Sequence, residues 1–149
     1  MLKVGKPVPN FTGKTNQGDW QLSDYLGKKV VIYFYPRDNT PGCTTEGKDF
    51  NTHLSAFQQN NAVVVGISND NLAKHQKFSD KFAFAFPLIA DEDKSISELF
   101  GVYQRKKFMG KEFMGIVRST FLLDEQGNLV QEWRKVKVKN HVEAVLAAL

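Results

Sequence analysis

Six consecutive apolar and aromatic residues, Val30-Val31-Ile32-Tyr33-Phe34-Tyr35, run directly into Pro36. The chain's only cysteine then closes the segment Pro36-Arg37-Asp38-Asn39-Thr40-Pro41-Gly42-Cys43. A short β-branched and aromatic run bounded by proline predicts a buried strand. Beyond Cys43, Phe50, Leu54 and Phe57 recur at i, i+4 and i+7, which predicts a helix from about residue 41 to 59. The cysteine therefore stands where a strand hands over to a helix. Thr40 suits the N-cap and Pro41 the first helical position, so Cys43 falls in the first turn. Unpaired backbone N–H groups and the helix dipole there favour the thiolate, which is the nucleophilic form. A free cysteine is often only a small buried hydrophobe. The Thr-Pro-Gly lead-in at a strand-to-helix turn favours the reactive reading.

At 149 residues, with 42% hydrophobic and 12% aromatic residues, the chain is long and apolar enough for one domain spanning 1–149. Its twelve phenylalanines are spread along the sequence, which predicts one continuous core. The net charge of +4 comes from scattered basic residues, densest at Arg105-Lys106-Lys107 and from Arg134 to Lys139. The second cluster alternates with Val136 and Val138 and reads as an exposed edge strand guarded by lysines. No nucleic-acid-binding motif accompanies the charge, so no nucleic-acid partner is expected. One cysteine excludes an intramolecular disulfide and a multi-cysteine metal site, and it fits a reducing compartment. The segment Met1 to Pro7 lacks the apolar centre of a signal peptide, and no stretch reaches membrane-spanning length. A cytoplasmic protein with no membrane partner is the expectation. The three histidines are dispersed and no Gly-rich phosphate loop occurs, so neither metal nor organic cofactor is expected.

Elsewhere the patterns are simpler. The opening residues read as a hairpin turning at Asn16-Gln17-Gly18-Asp19, with Trp20 and Leu22 facing inward. Ser23 or Asp24 is expected to cap a helical turn ending at Gly27. Ala62 to Ile67 reads as a second buried strand, Asn69-Asp70-Asn71 as a turn and cap, and Leu72, His75, Phe78 and Phe82 as one helical face. Phe84 to Ile89, broken by Pro87, reads as a short or edge strand. A helix from Lys94 to about Phe100 ends at Gly101, and Val102 to Gly115 reads as irregular. Thr120–Leu123 and Leu129–Trp133 flank a hairpin turn, and Val142, Val145, Leu146 and Leu149 mark a final helix. Strands alternating with helices, then a hairpin and a helix, indicate an α/β fold with a mixed sheet and helices on both faces.

Pro36, Thr40 and Cys43 match the Pro-x-x-x-Thr/Ser-x-x-Cys signature of the peroxiredoxins. The longer string from Tyr33 to Glu46 resembles the bacterioferritin comigratory protein branch, also called PrxQ. So do Phe86 to Asp91, Phe100-Gly101-Val102, and Gly115 to Asp124. The resemblance implies a thioredoxin-like fold and thiol-dependent reduction of hydrogen peroxide or organic hydroperoxides. It implies that Cys43 is the peroxidatic residue, that the Thr40 hydroxyl hydrogen-bonds the peroxide, and that Pro36 shields the pocket. It further implies that Arg118 stabilises the thiolate and the developing oxygen charge. Backbone N–H groups at Gly42 and Cys43 can add to this, and the resemblance implies that Glu46 is a partner that orients Arg118.

Many members of that branch carry a resolving cysteine five residues after the first, where this chain has Lys48. The chain therefore looks like a one-cysteine member. A sulfenic acid at Cys43 must be resolved by an external thiol, such as glutathione with glutaredoxin, or thioredoxin. A monomer is expected, with a dimer as the alternative. Two other readings share the cysteine. One is a cysteine hydrolase using His53, His75 or His141 as base. The other is a redox sensor or holdase, oxidised by peroxide without efficient turnover.

Overall fold

The computed structural model describes residues 2–149. Among the described residues, nine strands and five α-helices follow in order. They are β1 (Thr12–Thr15), β2 (Gly18–Gln21), β3 (Lys29–Phe34), α1 (Pro41–Thr52), α2 (Leu54–Gln59), β4 (Ala62–Ser68), α3 (Leu72–Phe82), β5 (Leu88–Ala90), α4 (Ser95–Leu99), β6 (Tyr103–Phe108), β7 (Lys111–Ile116), β8 (Ser119–Leu123), β9 (Leu129–Arg134) and α5 (His141–Ala147). Seven strands form one mixed sheet in the order β2-β1-β5-β4-β3-β8-β9. β3, β4 and β5 run parallel, and β8 pairs antiparallel to β3.

The apolar run at 30–35 is the spine of this sheet. Because side chains alternate along a strand, Val30, Ile32 and Phe34 enter one apolar layer and Val31, Tyr33 and Tyr35 the other. The first layer is closed by Trp20, Leu22, Ile96 and Phe100, and the second by Phe50, Phe57, Phe78, Val142 and Val145. The single continuous core expected from the spread of phenylalanines is thus two layers, because the sheet passes between them.

Several local expectations need correction. The helix expected to reach 59 breaks at His53, whose Nδ1 lies 2.9 Å from the Asp49 carbonyl and competes for that acceptor. Phe50, Leu54 and Phe57 nevertheless stay buried on one side. The helical turn at Leu22–Tyr25 starts after Gln21 with no side-chain cap, so neither Ser23 nor Asp24 caps it. β5 is short, as Pro87 dictates, but it lies inside the sheet, joined to β1 through Thr15 and Ile89.

The stretch expected to be irregular forms the two-stranded ribbon β6–β7, closed by Met109 and Gly110 at φ 52° and 79°. Two consecutive left-handed residues are what a tight hairpin requires. The ribbon escapes pattern reading because most of it is exposed, so burial imposes no alternation on it. Arg134 to Lys139 is not an edge strand. β9 ends at Arg134, and the chain then loops back so that the Val136 N–H donates to the Arg118 carbonyl at 3.0 Å. No helix among the described residues is long and apolar enough to cross a membrane.

Candidate active site

Two facts of chain geometry build the site. β3 delivers the chain to the start of α1, with Pro41 at the first helical position and Cys43 in the first turn. The antiparallel register of β3 and β8 pairs Phe34 with Ser119. Arg118, one residue before Ser119, is thereby held at the same end of the sheet, beside the first turn of α1.

The Cys43 side chain is 1% exposed. Arg118 Nη2 lies 3.3 Å from its Sγ, while Nη1 donates to Glu46 Oε1 at 2.5 Å. Cys43 and Glu46 are three residues apart on α1, so they share one face. A planar guanidinium with several donors can serve both at once. Burial works against the Arg118 charge, but Glu46 and Cys43 outweigh it and leave the guanidinium above its ordinary value. Burial raises the Glu46 carboxyl to about 7, against the pull of Arg118 and with a smaller push from Asp49. Among the described residues, Glu46 Oε2 has no hydrogen-bond partner, and neither does the buried Tyr33 hydroxyl, whose own pKa is raised by burial and by the charges of Glu46 and Cys43.

Gly42 fits closely against this arrangement. A Cβ there would stand 3.2 Å from Arg118 Nη2. Thr40 occupies the N-cap position with extended backbone, but its hydroxyl does not cap the helix. It donates instead to the Arg37 carbonyl at 3.0 Å. The Thr44 N–H bonds to the Thr40 carbonyl. Gly42 and Cys43 come before the first helical N–H that has a backbone acceptor. Pro36 is half-buried and Lys48 is exposed on α1, with its Nζ 5.9 Å from the centre of the Phe82 ring. The structure thus brings Cys43, Glu46, Arg118 and Gly42 into mutual proximity, and sets Thr40 and Pro36 in the loop leading to them.

No histidine is a hydrogen-bond partner of Cys43. His53 faces Asp49 and Glu143. His141 Nε2 is 2.8 Å from Thr120 Oγ1, and burial, with Arg118 nearby, lowers its pKa to about 4. His75 is fully buried, with Nδ1 2.6 Å from Asp38 Oδ2 and Nε2 2.9 Å from the Ile89 carbonyl. The hydrolase arrangement is therefore not formed.

Sequence reasoning missed two supports of the site. One is the network around Asp38, which takes a hydrogen bond from Tyr35 at 2.5 Å and pairs with His75, while its N–H donates to Asp70 at 2.8 Å. Asp38, Asp70 and His75 are of metal-ligating type and lie close together, but Tyr35, Ser68, the Ile89 carbonyl and the His75–Asp38 contact already engage their polar atoms. The network ties the loop at 36–40 to β4 and α3. The other support is the Val136 contact to Arg118. The lysine-valine alternation at 135–139 was the only trace of it in the sequence. A cavity of about 690 Å³ lies elsewhere, against Gly13, Trp20, Asp91 and Ser95. It contains none of the residues that carry the chemistry, and the polar convergence on Cys43 is the better guide to the site.

Comparison with known proteins agrees in kind. Residues 4–132 match the AhpC/TSA family. The chain is 47% identical over 149 residues to Peroxiredoxin Bcp of Bacillus subtilis, covering 99% of this chain and 95% of that one. It is 51% identical over 128 residues to Peroxiredoxin Bcp of Xanthomonas campestris, covering 86% and 80%. Among solved structures it is similar to the Xanthomonas campestris bacterioferritin comigratory protein, studied for alkyl peroxide reduction through trapped intermediate and ligand complexes. That likeness has a TM-score of 0.91 and 44% identity, covering 98% of this chain and 96% of that one. It is also similar to a cysteine-to-serine mutant of Xylella fastidiosa PrxQ, with a TM-score of 0.94 and 38% identity, covering 99% and 95%.

Proposed function

The chain belongs to the AhpC/TSA family, among its Bcp and PrxQ peroxiredoxins, and from that premise we propose that Cys43 is its peroxidatic residue and that an external thiol completes each cycle. As a peroxiredoxin it is a thiol-dependent peroxidase with a thioredoxin-like fold, using hydroperoxide as oxidant and a thiol as reductant. The observation that carries the assignment is the Arg118 bridge, with one nitrogen on Glu46 and another on Cys43.

In the proposed reaction the Cys43 thiolate attacks one peroxide oxygen in line. The S–O bond forms, the O–O bond breaks, and the departing oxygen takes up the proton that the thiol released on becoming a thiolate, leaving as alcohol or water. Charge moves from sulfur to that oxygen, and Arg118 with the Gly42 and Cys43 N–H groups stabilises it. Thr40 already donates its proton to the Arg37 carbonyl, so its oxygen is free to accept a hydrogen bond from the hydroxyl of the peroxide. Pro36, with no N–H to hydrate, helps keep water from the pocket.

The sulfenic acid has no partner cysteine in the chain. A first thiol condenses with it, forming an S–S bond and expelling water. A second thiol then attacks the outer sulfur of that disulfide, the new S–S bond joins the two external thiols, and the broken S–S bond releases Cys43 as its thiolate. Glutathione with glutaredoxin, or thioredoxin, supplies the thiols in this reading. The protein works as a single domain and a monomer, in the cytoplasm where such thiols stay reduced.

The test is peroxide consumption with dithiothreitol, then with glutathione and glutaredoxin, for the parent protein and for Cys43→Ser. Sustained consumption that disappears in the variant is expected. A single stoichiometric loss that no reductant renews would instead support a redox sensor.

A further inference from the structure

A cavity of about 270 Å³ opens between the loop at 36–40 and α3. Arg37, Asn39, Lys74, Lys77, Phe78 and Lys81 line it. The three lysines recur at i, i+3 and i+7, which puts them on one face of α3. Lys81 Nζ donates to Asn39 Oδ1 at 3.3 Å, joining the two walls. Two carboxylates also line the cavity, but both are engaged. Asp38 is held by Tyr35 and His75, and Asp70 by Ser68 and the Asp38 N–H. Lys74 is 4.0 Å from Asp70. Among the described residues, Arg37, Lys77 and Lys81 have no carboxylate within ion-pair distance. Four cationic side chains against two carboxylates leave the lining with an excess of positive charge, a local potential that an anion relieves.

Along the chain, the cavity adjoins the segment that holds the cysteine. Its wall, Arg37 to Asn39, runs directly into Thr40 and the first turn of α1. Cys43 is 1% exposed, so the first thiol to reach its sulfenic acid must be slender. We propose that this cavity binds the carboxylates of a small anionic thiol, such as a carboxylated peptide thiol, and delivers its sulfur to oxidised Cys43. The inference rests on the external-thiol reading above and gives it a docking site. The binding step is electrostatic and reversible. The covalent step is the condensation already described, in which the S–S bond forms and water leaves.

The test uses two thiols of different charge. Steady-state peroxidase rates are measured with glutathione and with uncharged dithiothreitol, for the parent protein and for Lys77→Ala/Lys81→Ala. Both lysines are exposed, so the variant should fold. The expected result is a drop of about tenfold in kcat/KM for glutathione, with the dithiothreitol rate unchanged. Added salt should slow the glutathione reaction selectively. S-methylglutathione, which has no thiol, should compete with glutathione in the parent protein and bind more weakly to the variant by calorimetry. Turnover with dithiothreitol but none with glutathione overturns the proposal. So does a variant with unchanged glutathione kinetics, or inorganic phosphate competing as well as S-methylglutathione. If neither thiol supports turnover, the peroxidase reading itself fails, and calorimetry with S-methylglutathione still decides whether the cavity takes this ligand.

Discussion

Arg118 bonds Glu46 through Nη1 at 2.5 Å and Cys43 through Nη2 at 3.3 Å, so one guanidinium joins two residues of α1 to a residue 75 positions from the cysteine. The geometry demands a fork. A lysine ammonium is a single point charge and cannot reproduce both contacts in one plane. Arg118→Lys should therefore keep the fold but lose transition-state stabilisation, lowering kcat/KM for peroxide by about 10²- to 10³-fold. Stopped-flow oxidation of reduced protein measures this directly, and parent-like rates in the lysine variant would remove Arg118 from the mechanism.

Gly42→Ala separates stability from catalysis. Alanine is the better helix former, by up to about 1 kcal/mol. Its Cβ would nevertheless sit 3.2 Å from Arg118 Nη2, so the guanidinium must move by a few tenths of an ångström. Unfolding by urea should show stability held or raised, while the peroxide rate falls by about tenfold. An unchanged rate would mean that Arg118 tolerates displacement.

The Glu46 carboxyl titrates differently in the folded and unfolded chain. Burial raises it in the fold, from an ordinary 4.5 to about 7. Between those values the folded protein holds a proton that the unfolded chain has released. Stability from this group is therefore greatest at low pH and falls as pH rises through that window. The total change is about 3 kcal/mol. Glu46→Gln should remove it, so the stability difference between the two proteins should shift between about pH 4 and about pH 8. A difference independent of pH would falsify the shift.

The Tyr33 hydroxyl is buried without a hydrogen-bond partner. An unsatisfied buried polar group is a cost, so deleting it with little change of shape should stabilise the fold. Tyr33→Phe is expected to raise the unfolding free energy by about 1 kcal/mol. The ring contacts with Phe50 and Tyr35 remain. A destabilised variant would show that the hydroxyl has a partner in solution.

The local chemistry of this protein was readable in its sequence. The run at 30–35, the Thr-Pro pair and the spacing of Phe50, Leu54 and Phe57 placed Cys43 in the first turn of a helix, because caps, proline geometry and periodicity act over a few residues. The resemblance added Arg118 and Glu46 as partners, but spacing alone could not bring them together. Only the antiparallel register of Phe34 against Ser119 carries Arg118 to α1, and strand register is a property of the assembled sheet. The same holds for the turning of the Thr40 hydroxyl toward Arg37, the His75–Asp38 pair, and the Val136 contact to Arg118. The ribbon at Tyr103–Ile116 was hidden for a different reason. Its strands are mostly exposed, so its pairing rests on backbone hydrogen bonds and a two-residue turn, which leave no hydrophobic period to read.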